Sequence, residues 1–171
     1  EMQFDGLAEN NTVLITGTVA EGCVFSHEVY GESFYMFRIS SDRLSDKADI
    51  LPVTISERLI DKELLQVGTK VKVTGQLRSY NNYNSKKNRL ILTIFAREIS
   101  LLEEEDIKME NQIFLNGFIC KVPIYRKTPF GREISDILVA VNRAYNKSDY
   151  IPCIAWGRNA RYASELPIGT K

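Results

Sequence analysis

Short β-branched and apolar runs recur along this chain and read as strands. Thr12–Val19 and Gln112–Ile119 are such runs, each passing through a glycine where a strand would bend. Phe34–Ser41 and Ile134–Asn142 alternate large apolar with smaller or polar residues. Ile50–Ile55 and Tyr150–Trp156 each carry a proline near the start, where a missing N–H is tolerated. Tyr30-Gly31-Glu32 and Phe130-Gly131-Arg132 predict hairpin turns. Helical stretches are expected over Glu57–Leu65 and Asn159–Leu166. Lys70–Tyr80 and Arg89–Ile99 predict two further strands around a polar tip, Asn81–Asn88.

These elements repeat with a period of 100 residues. Residues 11–63 laid on 111–163 without a gap share eight identities: Asn11/Asn111, Gly17/Gly117, Gly31/Gly131, Arg43/Arg143, Lys47/Lys147, Asp49/Asp149, Pro52/Pro152 and Arg58/Arg158. Conservative pairs such as Val13/Ile113, Val19/Ile119, Phe25/Tyr125, Tyr30/Phe130 and Leu51/Ile151 hold the same register. With one inserted residue, Val67-Gly68-Thr69-Lys70 then matches Ile168-Gly169-Thr170-Lys171. A fixed period of this kind marks a duplication. Five strands with a helix between the third and fourth is the plan of the OB barrel. The expected fold is therefore all-β: two tandem OB-fold barrels, each with a short helix between strands three and four. The first copy runs on for 34 residues from Gly68 to Leu101, whereas the second has only Gly169, Thr170 and Lys171. The second barrel should thus lack its last two strands, leaving edges unpaired and one wall open. A continuation beyond Lys171, or strands supplied by another chain, is expected to complete it.

Charge sharpens the division. The net charge is zero, but residues 111–171 hold nine basic residues against four acidic, while residues 101–110 hold five acidic against one basic. The expected domains are residues 1–101 and 111–171, joined by an acidic linker over 102–110. Three cysteines and one histidine, without C-x-x-C spacing, fall short of the four clustered ligands of a structural zinc. No metal or cofactor is expected. The N-terminus lacks a signal sequence's basic and apolar regions, and no apolar run approaches membrane-spanning length, so the chain reads as cytoplasmic.

In the second copy, four blocks occur in order: Asn111–Gly117, Tyr125–Gly131, Val139–Arg143 and Asp149–Gly157. Together they resemble the bacterial single-stranded DNA-binding protein family. The first copy is similar to it only diffusely, and is equally comparable to primosomal replication protein N. The resemblance implies sequence-independent binding of single-stranded DNA in replication, recombination or repair. It places the family's base-stacking positions on Tyr145, Tyr150 and Trp156. Arg126, Lys127, Arg132, Arg143 and Arg158 lie near them in sequence and are candidate phosphate partners. The resemblance also implies a homodimer carrying four barrels, with replication proteins as further partners.

The residue types suit that chemistry, because non-specific single-strand binders combine a basic groove with aromatic rings on which bases stack. By the repeat, Tyr145, Tyr150 and Trp156 correspond to Ser45, Ile50 and Ser56, so the first copy lacks the same surface. It offers instead a polar hairpin in which Tyr80 and Tyr83 are interleaved with Arg78, Lys86, Lys87 and Arg89. Of the adjacent pair Phe34 and Tyr35, one should face inward, and Tyr35 is the better surface candidate. The chain carries no G-x-S-x-G elbow and no phosphate-cradling glycine loop, and His27 is replaced by Lys127 in the other copy, so no enzyme is expected. The competing reading is an OB-fold interaction module of a primosome-type assembly. RNA is the alternative ligand, since stacking does not read the 2′-hydroxyl.

Overall fold

A computed structural model of the chain describes residues 10–43, 47–82, 89–104, 110–143 and 146–171. The chain divides into two compact units, residues 11–114, and residues 115–171 with Asn10.

In the first unit five strands close on themselves. They are β1 (Asn11–Val29), β2 (Glu32–Asp42), β3 (Ala48–Ser56), β4 (Lys70–Asn82) and β5 (Arg89–Leu101). β1 pairs antiparallel with β4 through Val13–Thr18 and with β2 through Thr18–Val29. β2 pairs with β3, β4 with β5, and the ring is sealed by a short parallel contact of β3 with β5 at Val53–Ile94 and Thr54–Phe95. This circuit is that of the OB barrel. Inside it Val13, Ile15, Val19, Phe37, Ile39, Val53, Ile55, Val71, Val73, Ile94 and Ala96 form one buried cluster, with Leu65 closing the set. Burying an aliphatic or aromatic side chain of this size contributes about 1.5–3 kcal/mol, so the cluster is the unit's main source of stability.

Gly17 marks the bend where β1 passes from one partner to the other. A Cβ there would lie 2.6 Å from the Ser40 carbonyl oxygen, so only glycine permits the approach. Asn11 extends the β1–β4 pairing with its side chain. Its Nδ2 donates to the Leu77 carbonyl at 2.6 Å, and its Oδ1 accepts from the Leu77 N–H at 2.8 Å. Between β3 and β4 the helix expected over Glu57–Leu65 is reduced to a single 3₁₀ turn, Lys62–Leu64. Asp61 caps that turn by accepting from the Glu63 N–H at 3.0 Å. Leu65 then turns into the core and stops the helix from continuing.

The second unit contains β7 (Phe118–Ile119), β8 (Ile124–Lys127), β9 (Glu133–Arg143), β10 (Lys147–Trp156) and α1 (Arg158–Ser164). β9 is central, pairing with β7, β8 and, over ten residues, β10. The strand expected over Gln112–Ile119 is divided. Its first half, β6 (Asn111–Leu115), lies beside β1 at the edge of the first sheet. The Glu110 carbonyl accepts from the Thr16 N–H at 2.8 Å, and its N–H donates to Thr16 Oγ1 at 2.8 Å, which fixes that register. The break comes at Asn116-Gly117, and a Cβ on Gly117 would stand 2.3 Å from the Ala140 carbonyl oxygen.

The 100-residue period is visible contact by contact. Gly68 and Thr69 exchange backbone bonds with Val19, as Gly169 and Thr170 do with Ile119. Glu57 N–H donates to Ser33 at 3.0 Å, and Gly157 N–H to Glu133 at 3.0 Å. Arg43 pairs with Asp49 at 2.6 Å and Arg143 with Asp149 at 3.0 Å. The units differ in cover. Phe37, Ile39, Val53 and Ile55 are buried, whereas their counterparts Ile137, Val139, Cys153 and Ala155 are only half-buried. In the first unit Val71, Val73 and Ile94 supply that cover from β4 and β5.

Gly75 offers a sharp test of the barrel's tightest contact. It sits at a register shift between β4 and β5, and a Cβ would lie 2.1 Å from the Phe95 carbonyl oxygen. Gly75→Ala should destabilise the first unit by about 1–3 kcal/mol in urea unfolding. Gly22→Ala, whose Cβ would find only the Leu65 carbonyl oxygen at 3.9 Å, should leave the midpoint unchanged or raise it. Equal shifts would show that the close approach at Gly75 is not what fixes the strand.

Candidate nucleic-acid interface

Alternation along β10 sorts its side chains into two faces. Ile151, Cys153 and Ala155 turn inward, and Tyr150, Pro152, Ile154 and Trp156 turn outward. The β9 register sets Tyr150 opposite Ala140 and Trp156 opposite Ile134. Beyond β9, Phe118 lies opposite Ala140 and Arg126 opposite Ile134. The outward face thus carries Tyr150 and Phe118 at one end, and Trp156 and Arg126 at the other. Six residues separate the two β10 rings, about 20 Å of strand. Tyr150 is 45% exposed and Trp156 52% exposed, so both present ring surface to solvent.

The cations divide by the same register. Arg126 is on the aromatic face, where its Nε pairs with Asp136 at 3.2 Å. Lys127 pairs across to Glu133, and Arg143 lies across from Lys147, which puts both on the opposite face. Arg143 is further engaged by Asp149, whose carboxylate is fully buried. Arg132 and Arg158 are exposed at the β9 and α1 starts beside Trp156. Tyr145, Tyr83, Lys86 and Lys87 lie outside the described residues. Tyr80 and Arg89 are exposed on the arm formed by β4 and β5. Among the described residues, no group of three His, Cys, Asp or Glu side chains could hold a metal, and no helix is long and apolar enough to cross a membrane.

Two features had no signal in the sequence. On the first barrel a row of rings runs across three strands. His27 stacks on Phe34 with centroids 4.9 Å apart, Phe34 meets Phe95 at 5.7 Å, and the Arg78 guanidinium lies 3.8 Å over the Phe95 ring. Phe34, not Tyr35, therefore takes the outer face, although its neighbours leave it only 8% exposed. Tyr35 instead packs against the core, with Lys62 Nζ 4.5 Å over its ring. At the positions matching Tyr150 and Trp156 the first unit has an exposed Ile50 and a half-buried Ser56, whose hydroxyl donates to Glu32.

The second feature is a cleft of about 470 Å³ lined by Gly131, Arg132, Glu133, Trp156, Gly157 and Arg161. Arg161 Nε donates to Glu133 Oε2 at 2.5 Å. That hydrogen bond holds the Glu133 carboxyl below the usual glutamate range against the opposing effect of desolvation, and a Tyr125 hydrogen bond assists. The Tyr125 hydroxyl is pushed up, first by desolvation and then by Glu133.

The fold and this face define a class first: an OB-type β protein with a solvent-facing aromatic and cationic sheet surface. Residues 110–169 match the model of the single-strand binding protein family. The chain is a bacterial single-strand-binding-protein-like OB-fold protein. Its structure is similar to wild-type single-stranded DNA binding protein from Thermus aquaticus, with a TM-score of 0.79 and 23% identity over 93% of this chain and 80% of that one. A deletion mutant of the Thermus protein gives 0.73 and 23% over 93% and 81%. The dimeric N-terminal domain of PriB protein from Thermoanaerobacter tencongensis is 53% identical over 56% of this chain and all of that one, with a TM-score of 0.49. Among curated proteins none matches the sequence.

The Glu133 network makes a pH prediction. With its folded pKa depressed, the Glu133–Arg161 pair stabilises the fold above the unfolded glutamate pKa and loses that contribution as pH falls through the folded value. A carboxyl carbon NMR titration should find Glu133 below the other glutamates, and Arg161→Gln should move it upward. An unmoved midpoint would show that Arg161 does not set it.

Proposed function

We propose that the chain binds single-stranded DNA without sequence preference and without catalysis, by stacking bases on exposed rings and pairing phosphates with cations. It is built as two tandem OB-type halves, residues 1–101 and 111–171, joined by the acidic segment 102–110. One observation carries the reading. The segment that matches the family is also the one whose sheet presents Tyr150 and Trp156 outward with Arg126 on the same face. Arg132 and Arg158 flank Trp156 as phosphate partners, and Tyr145 is a further stacking residue. The arm of Tyr80, Tyr83, Lys86, Lys87 and Arg89 is a second contact for the strand. The protein acts in the cytoplasm with replication and repair partners.

A second reading is favoured by the first unit alone. Ile50 and Ser56 stand where the second unit has Tyr150 and Trp156, so that half is better suited to an assembly role in a primosome-type complex.

Counterion release separates the two readings, because genuine phosphate contacts make affinity fall steeply with salt. In titrations at several salt concentrations, single-stranded DNA should bind more tightly than duplex DNA. Trp156→Ala should weaken binding by about 1–3 kcal/mol, whereas Ser56→Ala should be nearly silent. Salt-independent retention, or equal losses at positions 56 and 156, would favour the assembly module. Tighter binding of single-stranded RNA would change the ligand but not the surface.

The assembly itself is a homodimer bearing four barrels. Among the described residues β6 is the last strand of its sheet, with Ile113 exposed, and an edge of this kind can pair with another chain. Light scattering should give twice the chain mass at micromolar concentration. A monomer that binds with full affinity would remove the dimer.

A further inference from the structure

We propose that the cleft beside Trp156 is a discrete pocket for one unstacked base of the strand together with its phosphate, with Phe130 and Arg161 as contacts beyond the β9–β10 face. The inference rests on reading the second unit as a single-strand binder. The cleft volume of about 470 Å³ falls in the range of sites that hold small organic ligands. One wall is the half-exposed indole of Trp156, which can stack a base.

The lip of the cleft is the β8–β9 turn. Thr128 N–H donates to the Arg132 carbonyl at 2.8 Å, and Gly131 N–H to the Thr128 carbonyl at 2.9 Å. Gly131 is left-handed, with φ 79°. This is a type I turn closed by a glycine bulge, and it needs only small or polar residues ahead of the glycine. Phe130 occupies that place and is 94% exposed, so the turn gives no structural reason for the ring. The first unit reaches its own tip by different geometry. Tyr30 and Gly31 both have positive φ, 49° and 81°, and Tyr30 is fully exposed. A large ring is thus held in water at both tips, although turns of this second type favour asparagine or aspartate at the first position.

Charge then separates the two tips. The cleft carries Arg132 and Arg161, with Glu133 engaged by Arg161. At the matching positions of the first unit stand Glu32 and Asp61, Glu57 replaces Gly157, and Ser56 replaces the indole. Ser56 donates to Glu32, and Glu57 Oε1 accepts from the Ser33 N–H at 3.3 Å. There Arg58 pairs with Glu32 at 3.6 Å, leaving an excess of carboxylate and no ring to receive a nucleotide, whereas two guanidiniums beside an indole attract both of its parts. Matching positions along the repeat therefore carry a nucleotide pocket in one unit and a more acidic set of residues in the other.

Trp156 is the chain's single tryptophan, so its fluorescence reports the cleft directly. The test titrates the full chain with a short oligothymidylate at several salt concentrations. Arg161→Gln should lower affinity about tenfold and reduce the salt slope by roughly 0.7, the share of one phosphate on a single strand. Phe130→Ser, at a fully exposed site, should lower affinity about fivefold with the slope unchanged. Glu133→Gln breaks the same ion pair but keeps the cation and removes a carboxylate facing the phosphate, so it should bind more tightly than wild type. Equal losses in Arg161→Gln and Glu133→Gln would overturn the proposal by showing that Arg161 acts through the fold. Wild-type affinity in both Arg161→Gln and Phe130→Ser would show the cleft to be empty in the complex. If wild type itself shows no salt-dependent binding, the functional reading falls first, which distinguishes the two failures.

Discussion

In a closed ring of five strands each strand has two neighbours, and in the first unit β1, the longest, meets its two in succession. Its early part holds β4 and its later part holds β2, with the change at Gly17 and Thr18. The strand can turn there only by passing close over the Ser40 carbonyl, which excludes any side chain at residue 17. The core positions, the seam and the turn leading to β4 are all set by where that bend falls. The second unit repeats the approach, Gly117 over Ala140, but there the chain is broken rather than bent. Its first half stays with β1, and only Phe118 and Ile119 remain on β9.

That difference bears on the binding surface. A sheet buried on one face is held rigid by its core, and outward rings are only as well placed as the strands beneath them. β9 and β10 pair over ten residues without a register shift, so Tyr150 and Trp156 are aligned by backbone hydrogen bonds rather than by side-chain packing. The half-buried inner face of the same sheet does not disturb that alignment. What distinguishes the two outer faces is their residues, not their backbone. Ile50 and Ser56 occupy the same register positions as Tyr150 and Trp156.

Much of this was legible beforehand because it is local. Glycine at a hairpin, alternation along a strand and a proline near a strand start each carry their own physics, and the strands and hairpins follow from them, whereas Tyr150 and Trp156 are named by the family resemblance. The fixed 100-residue period then transferred each reading from one copy to the other. The features without a signal in the sequence are non-local. His27, Phe34, Phe95 and Arg78 come from four different strands and meet only when the barrel closes. Of Phe34 and Tyr35, the sequence favours Tyr35 as the outer member. Its parity with Phe37 places it inside instead. The Glu133–Arg161–Tyr125 network joins β8, β9 and α1, and no spacing along the chain hints at it. The helix in the first copy shrank to one 3₁₀ turn because Leu65 is claimed by the core, a tertiary demand that overrides local preference.

The seam between β3 and β5 has a kinetic meaning. It is the one parallel contact in the ring, only two register pairs long, and it joins residues about forty positions apart in the chain. Every other strand pair of the ring is antiparallel, and most are joined by short turns. The seam gathers its loop-closure entropy before it returns any pairing energy, so it closes after the hairpins have zipped. A buried hydroxyl pair, Thr54 to Thr93 at 2.9 Å, latches it. With two register pairs the seam is the shortest pairing in the ring, and a barrel opened there would be a curl of strands still joined through β1.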